Sequence, residues 1–275
     1  MPERLPAADC HAHVFCGDRY PHAPDALYAP DISQAGTARK FADVLHAHSF
    51  THGLLVGAGV YGADNRCLVE ACRQSQGRFK GIALVRPEIS ERELSDLSDS
   101  GIVGVRINVM NHGMKPLVEP GADALLAKLK ALGWFVQVQV AGDQLVEAAP
   151  ILRKAGVRVM IDHIGRPVVS RGVGQPGFQA LLELGREGNA VVKLSGPFRS
   201  SEAGYPYEDV DPFVEAAIDA FTLNNCIWGS DWPFVRMDER MDYGLALVCL
   251  PRWLPDAQSR RDVLWNNPKR LFGFE

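Results

Sequence analysis

No apolar run in this chain reaches the roughly 18 to 20 residues that a membrane-spanning helix needs. The opening Met1-Pro2-Glu3-Arg4-Leu5-Pro6 also lacks the apolar stretch of a secretory signal. These two absences predict a cytoplasmic protein with no membrane partner. Excess positive charge is missing as well: the formal net charge is -4, which excludes a broad electrostatic footprint for nucleic acid while leaving local arginines free to bind a small acid. The cysteines (Cys10, Cys16, Cys67, Cys72, Cys226, Cys249) contain no C-x-x-C pair, so a zinc ribbon is not expected. Without a signal segment they read as reduced thiols, with Cys67 and Cys72 packing inside a helix. No G-x-G-x-x-G follows the first apolar run, which removes the usual dinucleotide-binding fingerprint. No repeat, low-complexity tract or linker interrupts the sequence, so residues 1–275 are expected to form a single domain.

What is present is a regular alternation. Apolar runs bounded by turn residues predict strands at 8–15, 53–58, 80–86, 102–109, 134–140, 157–163, 190–195 and 226–230. Helical spacing fills the intervals at 37–50, 65–76, 90–99, 121–132, 143–155, 176–187 and 209–223, with a last helix near 256–271. Gly101, Gly133 and Gly156 close three of the helices at positions that favour positive φ. Strand and helix in strict alternation mean parallel strands with right-handed crossovers, and eight such units predict a (β/α)8 TIM barrel. An open doubly wound sheet is the alternative. In a barrel of this kind the site lies at the C-terminal ends of the strands.

That rim is where chemistry-bearing residues gather. His11 and His13, in Asp9-Cys10-His11-Ala12-His13, stand at i and i+2 on the first strand, so both imidazoles point one way and can converge on a metal ion or a substrate oxygen. His163 ends the sixth strand. Asp231, in Gly229-Ser230-Asp231-Trp232-Pro233, lies just past the eighth, where a general base must be held. Asp9 shares the face of the two histidines and is expected to hydrogen-bond an imidazole or, equally, backbone amides. Asp162 alternates away from His163 and is not expected to share its contacts; Arg166 is a candidate for an anion. Arg106 and Arg199 are cationic candidates for a substrate carboxylate, whose geometry a guanidinium matches with two hydrogen bonds. His112 and Tyr28 are loop residues able to line the mouth, and Lys193 and Ser195 share one face of the seventh strand. His11, His13 and Asp231, with His163, suffice for one catalytic ion but not for a binuclear centre.

D-x-H-x-H on the first strand, D-H-x-G-R-P on the sixth and W-G-S-D-W-P on the eighth resemble the amidohydrolase superfamily. Within it, the chain is similar to the amidohydrolase-2 group, which contains lactonases acting on a pyrone dicarboxylate and on sugar lactones. The likeness extends through Tyr28-Ala29-Pro30, Gly62-Ala63-Asp64-Asn65, Gly104-Val105-Arg106-Ile107-Asn108, Lys193-Leu194-Ser195-Gly196 and Asn267-Pro268-Lys269-Arg270-Leu271-Phe272-Gly273-Phe274. It implies hydrolysis of a small acidic lactone, with Asp231 activating water and His11, His13 and His163 stabilising the oxyanion. It also implies a site able to hold one divalent ion, zinc or manganese, without requiring it. Arg106, Arg199 and Tyr28 match carboxylate-holding positions, whereas His112 stands where another basic residue is expected and Gln139 near an expected tyrosine. A sugar acid lactonase, a metal-dependent decarboxylase and a non-catalytic small-acid-binding barrel are the alternatives. Homo-oligomerisation is compatible with all of them.

Overall fold

The computed structural model describes residues 5–30 and 36–275; Met1–Arg4, part of the opening segment read above, lie outside the described residues. Among those residues eight strands form one sheet: β1 Ala8–Ala12, β2 His52–Val56, β3 Phe79–Ala83, β4 Ile102–Asn108, β5 Phe135–Gln139, β6 Arg158–Ile161, β7 Ala190–Ser195 and β8 Cys226–Gly229. Each pairs in parallel with the next, from β1 through β8. The ring is completed just above β8, where the Asp231 amide donates to the His11 carbonyl and the His13 amide to the Trp232 carbonyl, both at 2.8 Å. The expected (β/α)8 barrel is therefore present, and its closing seam runs through three of the candidate site residues.

Helices fill the crossovers: α1 Ala38–Ala47, α2 Arg66–Gln74, α3 Glu91–Asp99, α4 Ala122–Ala131, α5 Leu145–Ala155, α6 Pro176–Arg186 and α7 Asp211–Phe221. Their starts follow from local chemistry. The Thr37 hydroxyl accepts from the Lys40 amide at the head of α1, and Ser90 and Glu93 form a reciprocal capping box on α3. Gly101, Gly133 and Gly156 all have positive φ where the chain leaves a helix for a strand. The predicted last helix is broken into Ala257–Arg261, a π turn at Asp262–Asn266 and Asn267–Phe272. Among the described residues no helix is long and apolar enough to cross a membrane.

The barrel interior is layered. Ala8, Cys10, Leu54, Val56, Ile82, Phe135, Met160, Val191 and Ile227 fill its lower part, and Trp265, Leu271, Phe272 and Phe274 plug the bottom. Above this apolar floor the inward positions turn polar, with His11, Gln137, Asp162 and Lys193 all fully buried. A charged upper layer on an apolar base places every costly group next to a partner at the catalytic end.

One expectation fails. Cys16 and Cys67 form a disulfide with Cα atoms 5.9 Å apart, so these two are not free thiols and Cys67 is not merely a packing residue. The bridge ties the turn after β1 to the first turn of α2, a contact between residues 51 apart that local sequence patterns do not reveal. Cys10, Cys72, Cys226 and Cys249 are free and buried.

Candidate active site

Two local departures from regular strand geometry build the site. In β1, Asp9 lies opposite Gly53 and Ala12 opposite Leu55, three steps against two, so the strand carries a bulge. Cys10 faces the interior, and the extra residue brings His11 inward beside it, with His13 next. Asp9 is thereby turned away from the imidazoles. Its Oδ1 accepts from the Ser230 amide (2.9 Å) and the His11 amide (3.1 Å), and its Oδ2 from the Ser230 hydroxyl (2.5 Å) and the Tyr243 hydroxyl (3.0 Å). Of the two roles expected for it, Asp9 takes the backbone one, tying β1 to β8. Burial outweighs these donors and raises its pKa to about 6. The approach also requires Gly229, since a Cβ there would lie 2.5 Å from the His11 Cβ.

The second departure ends β6. His163 and Ile164 take φ of 50° and 47°, so the alternation that holds to Ile161 stops and both Asp162 and His163 point inward. The expectation that Asp162 and His163 face opposite ways is therefore wrong, because a period of two applies only while the backbone stays extended. Asp162 Oδ2 accepts from Gln137 Nε2 (3.0 Å) and Arg106 Nε (3.2 Å), and its Oδ1 lies 3.3 Å from Lys193 Nζ. Burial alone would raise its pKa, but Lys193, His11 and Arg106 together hold it well below the carboxylate range. His163 Nδ1 meets the Ser195 hydroxyl at 2.9 Å. Gly196, with φ of 60°, lets the next loop pass over the ring, for a Cβ there would come within 2.8 Å of His163 Nδ1.

Asp231 is the point on which these elements converge. Its Oδ1 lies 3.6 Å from both His11 Nε2 and His13 Nε2, and its Oδ2 lies 3.8 Å from His163 Nε2. Arg199 donates to Oδ2 through Nε and reaches it with Nη2, each at 2.8 Å. Burial would raise the Asp231 pKa, yet Arg199 foremost keeps it far below the usual value and the carboxylate ionised. The imidazoles are driven the other way. Burial lowers His13 and His163 to about 4 and, with Lys193, takes His11 well below its normal range, so all three are neutral at pH 7. His13 Nδ1 is 2.9 Å from the Val56 carbonyl, which can only accept; its proton therefore sits on Nδ1, and Nε2 faces the pocket as a bare lone pair. Ligand atoms of His11, His13 and Asp231 lie within 4.8 Å of one another, a set able to hold a metal ion.

The remaining candidates separate into two groups. Tyr28 belongs to the mouth: Arg106, Asp231, Arg236 and Arg199 all act on its hydroxyl, whose pKa burial raises. Gln139 is buried on β5. Arg106 and Arg199 reach the site but are already engaged, with Asp162 and Asp231 respectively. His112 stands apart, exposed at the end of the short helix Val109–His112 and without a hydrogen bond or ion pair to any described residue. Two further cations line the mouth, Arg166 as expected and Arg236 beyond the sequence-based set. Arg166 contacts Met110 Sδ and the Arg199 carbonyl with no carboxylate partner among the described residues, and Arg236 lies over the Tyr28 ring at 5.8 Å. Arg236 left no sequence signal, because the loop after β8 has no periodicity to place it.

The family model described as amidohydrolase matches residues 8–274. A 2-pyrone-4,6-dicarboxylate hydrolase of Comamonas testosteroni is 34% identical, the match covering 98% of this chain and 91% of that protein. A 4-sulfomuconolactone hydrolase of Hydrogenophaga intermedia is 30% identical, over 96% and 88% of the two chains. Among solved structures, a probable 2-pyrone-4,6-dicarboxylic acid hydrolase of Acinetobacter baumannii, with citric acid bound, superposes with a TM-score of 0.87 at 32% identity, covering 98% and 99%.

Proposed function

The chain belongs to the amidohydrolase family, and on that premise we propose that it is a lactonase that opens the cyclic ester of a small acidic lactone. The observation that carries this reading is an ionised, buried Asp231 ringed by three neutral imidazoles and flanked by arginines in a protein of net charge -4. Arg106, Arg166, Arg199 and Arg236 concentrate positive charge at one mouth, which suits an anionic substrate. Relatives named for a pyrone dicarboxylate and a sulfomuconolactone, and one holding citrate, point to the same substrate class.

In the proposed reaction Asp231 takes a proton from water and the hydroxide adds to the lactone carbonyl. His11 and His163 turn N–H edges to the developing oxyanion, and the bare His13 Nε2 accepts from the attacking water. The ring C–O bond then breaks and the proton on Asp231 passes to the leaving oxygen. A carboxylate with so low a pKa is a poor base while Arg199 holds it. A substrate carboxylate that draws the guanidinium away restores its basicity, so that binding arms the catalyst. Arg106 and Tyr28 hold the acidic groups, with Gln139 on the wall; His112 contributes only if its helix moves inward. One ion of zinc or manganese would draw its ligands from His11, His13, His163 and Asp231, but no step above depends on it. A cytoplasmic location and a single amidohydrolase-type domain over residues 1–275 complete the proposal.

The test is turnover of a panel of pyrone dicarboxylate, muconolactone-type, sugar acid and neutral lactones, with and without chelator. Hydrolysis of the acidic members that survives chelation supports the reading. Carbon dioxide release abolished by chelator would support a decarboxylase, and binding without turnover a non-catalytic barrel.

A further inference from the structure

A buried cation stands directly behind one of the imidazoles. Lys193 is completely buried on β7, and its Nζ has three neighbours: Gln137 Oε1 at 2.8 Å, His11 Nδ1 at 3.2 Å and Asp162 Oδ1 at 3.3 Å. An ammonium group has donors and no acceptor. Its contact with His11 is a hydrogen bond only if Nδ1 is the bare nitrogen, which puts the imidazole proton on Nε2. Asp162 Oδ1 competes for the same ring atom from 3.3 Å and favours the opposite tautomer, with the proton on Nδ1. That oxygen is nevertheless buried without a hydrogen-bond partner among the described residues, whereas the lysine contact has hydrogen-bond geometry.

The consequence appears on the other side of the ring. His11 Nε2 lies 3.4 Å from His13 Nε2. With the His13 proton fixed on Nδ1 by the Val56 carbonyl, these two atoms are complementary only if His11 carries N–H at Nε2. In the metal-free site both ends of His11 thus favour the same tautomer. In metal sites the usual arrangement is the reverse: a carboxylate or carbonyl accepts from the remote nitrogen of a ligating histidine and leaves the near one bare. His13 has that arrangement and fits a metal. His11 does not.

We propose that Lys193 is a positioning residue that fixes His11 as a neutral Nε2–H donor, committing it to substrate oxygen and withholding it from a metal ion. The inference deepens the lactonase reading, since it explains how a site with metal-type residues can act through hydrogen bonds, but its test does not depend on turnover. It is also specific to this pairing. With Lys193 removed, Asp162 becomes the only strong partner of His11 Nδ1, the proton moves there, and Nε2 becomes a ligand.

Long-range proton–nitrogen correlation spectra of the metal-free protein labelled at histidine nitrogen read the tautomer directly, with His11 assigned by the signal lost in His11→Asn. The expected spectrum shows His11 protonated at Nε2 and His13 at Nδ1. Zinc affinity is then measured by competition with a chromophoric chelator on the wild type and on Lys193→Met, whose melting curve reports folding. The expected change is a gain of about 10- to 100-fold in zinc affinity, the range over which groups behind metal ligands act, with His11 shifted to the Nδ1–H form. Wild-type His11 protonated at Nδ1 overturns the proposal, whether or not the variant folds. Unchanged zinc affinity in a folded Lys193→Met overturns it equally. An inactive protein showing the expected tautomers would refute the lactonase and leave the role of Lys193 standing.

Discussion

Replacing Asp231 by asparagine removes the charge at the centre of the site and little else. The side chain keeps its shape, its residue is 4% exposed, and an amide oxygen can still accept from Arg199, whose two nitrogens each sit 2.8 Å from Oδ2. What is lost is the ionic part of that contact. Hydrogen bonds to charged groups contribute about 1.5 to 3 kcal/mol. At roughly 2 to 4 °C per kcal/mol for a chain somewhat smaller than this one, Asp231→Asn should melt several degrees lower yet remain folded. The loss is not enlarged by missing attraction to imidazolium, because the three neighbouring histidines are neutral at pH 7. Activity should fall far more than stability: a positioned base is worth about 10²- to 10⁴-fold in kcat. The assay follows lactone absorbance to give kcat and KM separately, with circular dichroism as the folding control. Residual hydrolysis that rises in proportion to hydroxide concentration would fit a site that still polarises the lactone but no longer deprotonates water. A folded variant within about threefold of wild-type kcat would falsify the assignment of Asp231 as the base, since base loss should cost at least about a hundredfold.

Arg106→Lys keeps a cation beside Asp162 but gives up the guanidinium fork, so KM for acidic lactones should rise about tenfold or more, while neutral lactones are spared; an equal rise for both classes would remove Arg106 from carboxylate binding. Stability should decline as pH falls from 6.5 toward 4, because unfolded His13 and His163 bind protons at 6.5 that the folded protein refuses until about 4. Asp9 opposes this, since a carboxyl raised from 3.8 to about 6 stabilises the fold in acid and loses that contribution as pH rises through 6. Two histidines outweigh one aspartate, so melting temperature should drop across that window, and a flat profile from pH 7 to 4 would contradict the neutral buried imidazoles. Cys67→Ser opens a covalent loop between residues 51 apart, worth about 4 kcal/mol by the chain-entropy relation; a melting temperature equal to that of the wild type under non-reducing conditions would show that the bridge contributes nothing.

Fold and site were legible to different degrees, for different physical reasons. All eight strands follow from apolar runs because a strand inside a barrel must be hydrophobic on both faces, and Gly101, Gly133 and Gly156 mark helix ends through backbone geometry that belongs to the residue itself. The convergence of His11, His13, His163 and Asp231 was legible from their places at strand ends. Their partners were not. Arg199 reads as a ligand for substrate until the structure shows its guanidinium on Asp231, and Cys16 reads as a thiol until α2 brings Cys67 against it. Those are contacts between distant segments, and no local pattern encodes them.

The failures of the period-two rule at Asp9 and His163 carry a further lesson, because both occur where the site is built. Strict alternation sends only every second residue into the barrel, too few inward positions to crowd two imidazoles, a carboxylate and a lysine into one layer. The bulge in β1 turns Cys10 and His11 inward in succession, and the left-handed backbone at His163 does the same for Asp162 and His163. Each irregularity thus adds one inward side chain, His11 in β1 and His163 after β6, while Asp162 keeps the phase of Met160, and His11 is thereby brought beside Lys193. The bulge in β1 and the buried charge network are one device: without it the lysine would face a strand wall instead of the imidazole whose proton it places.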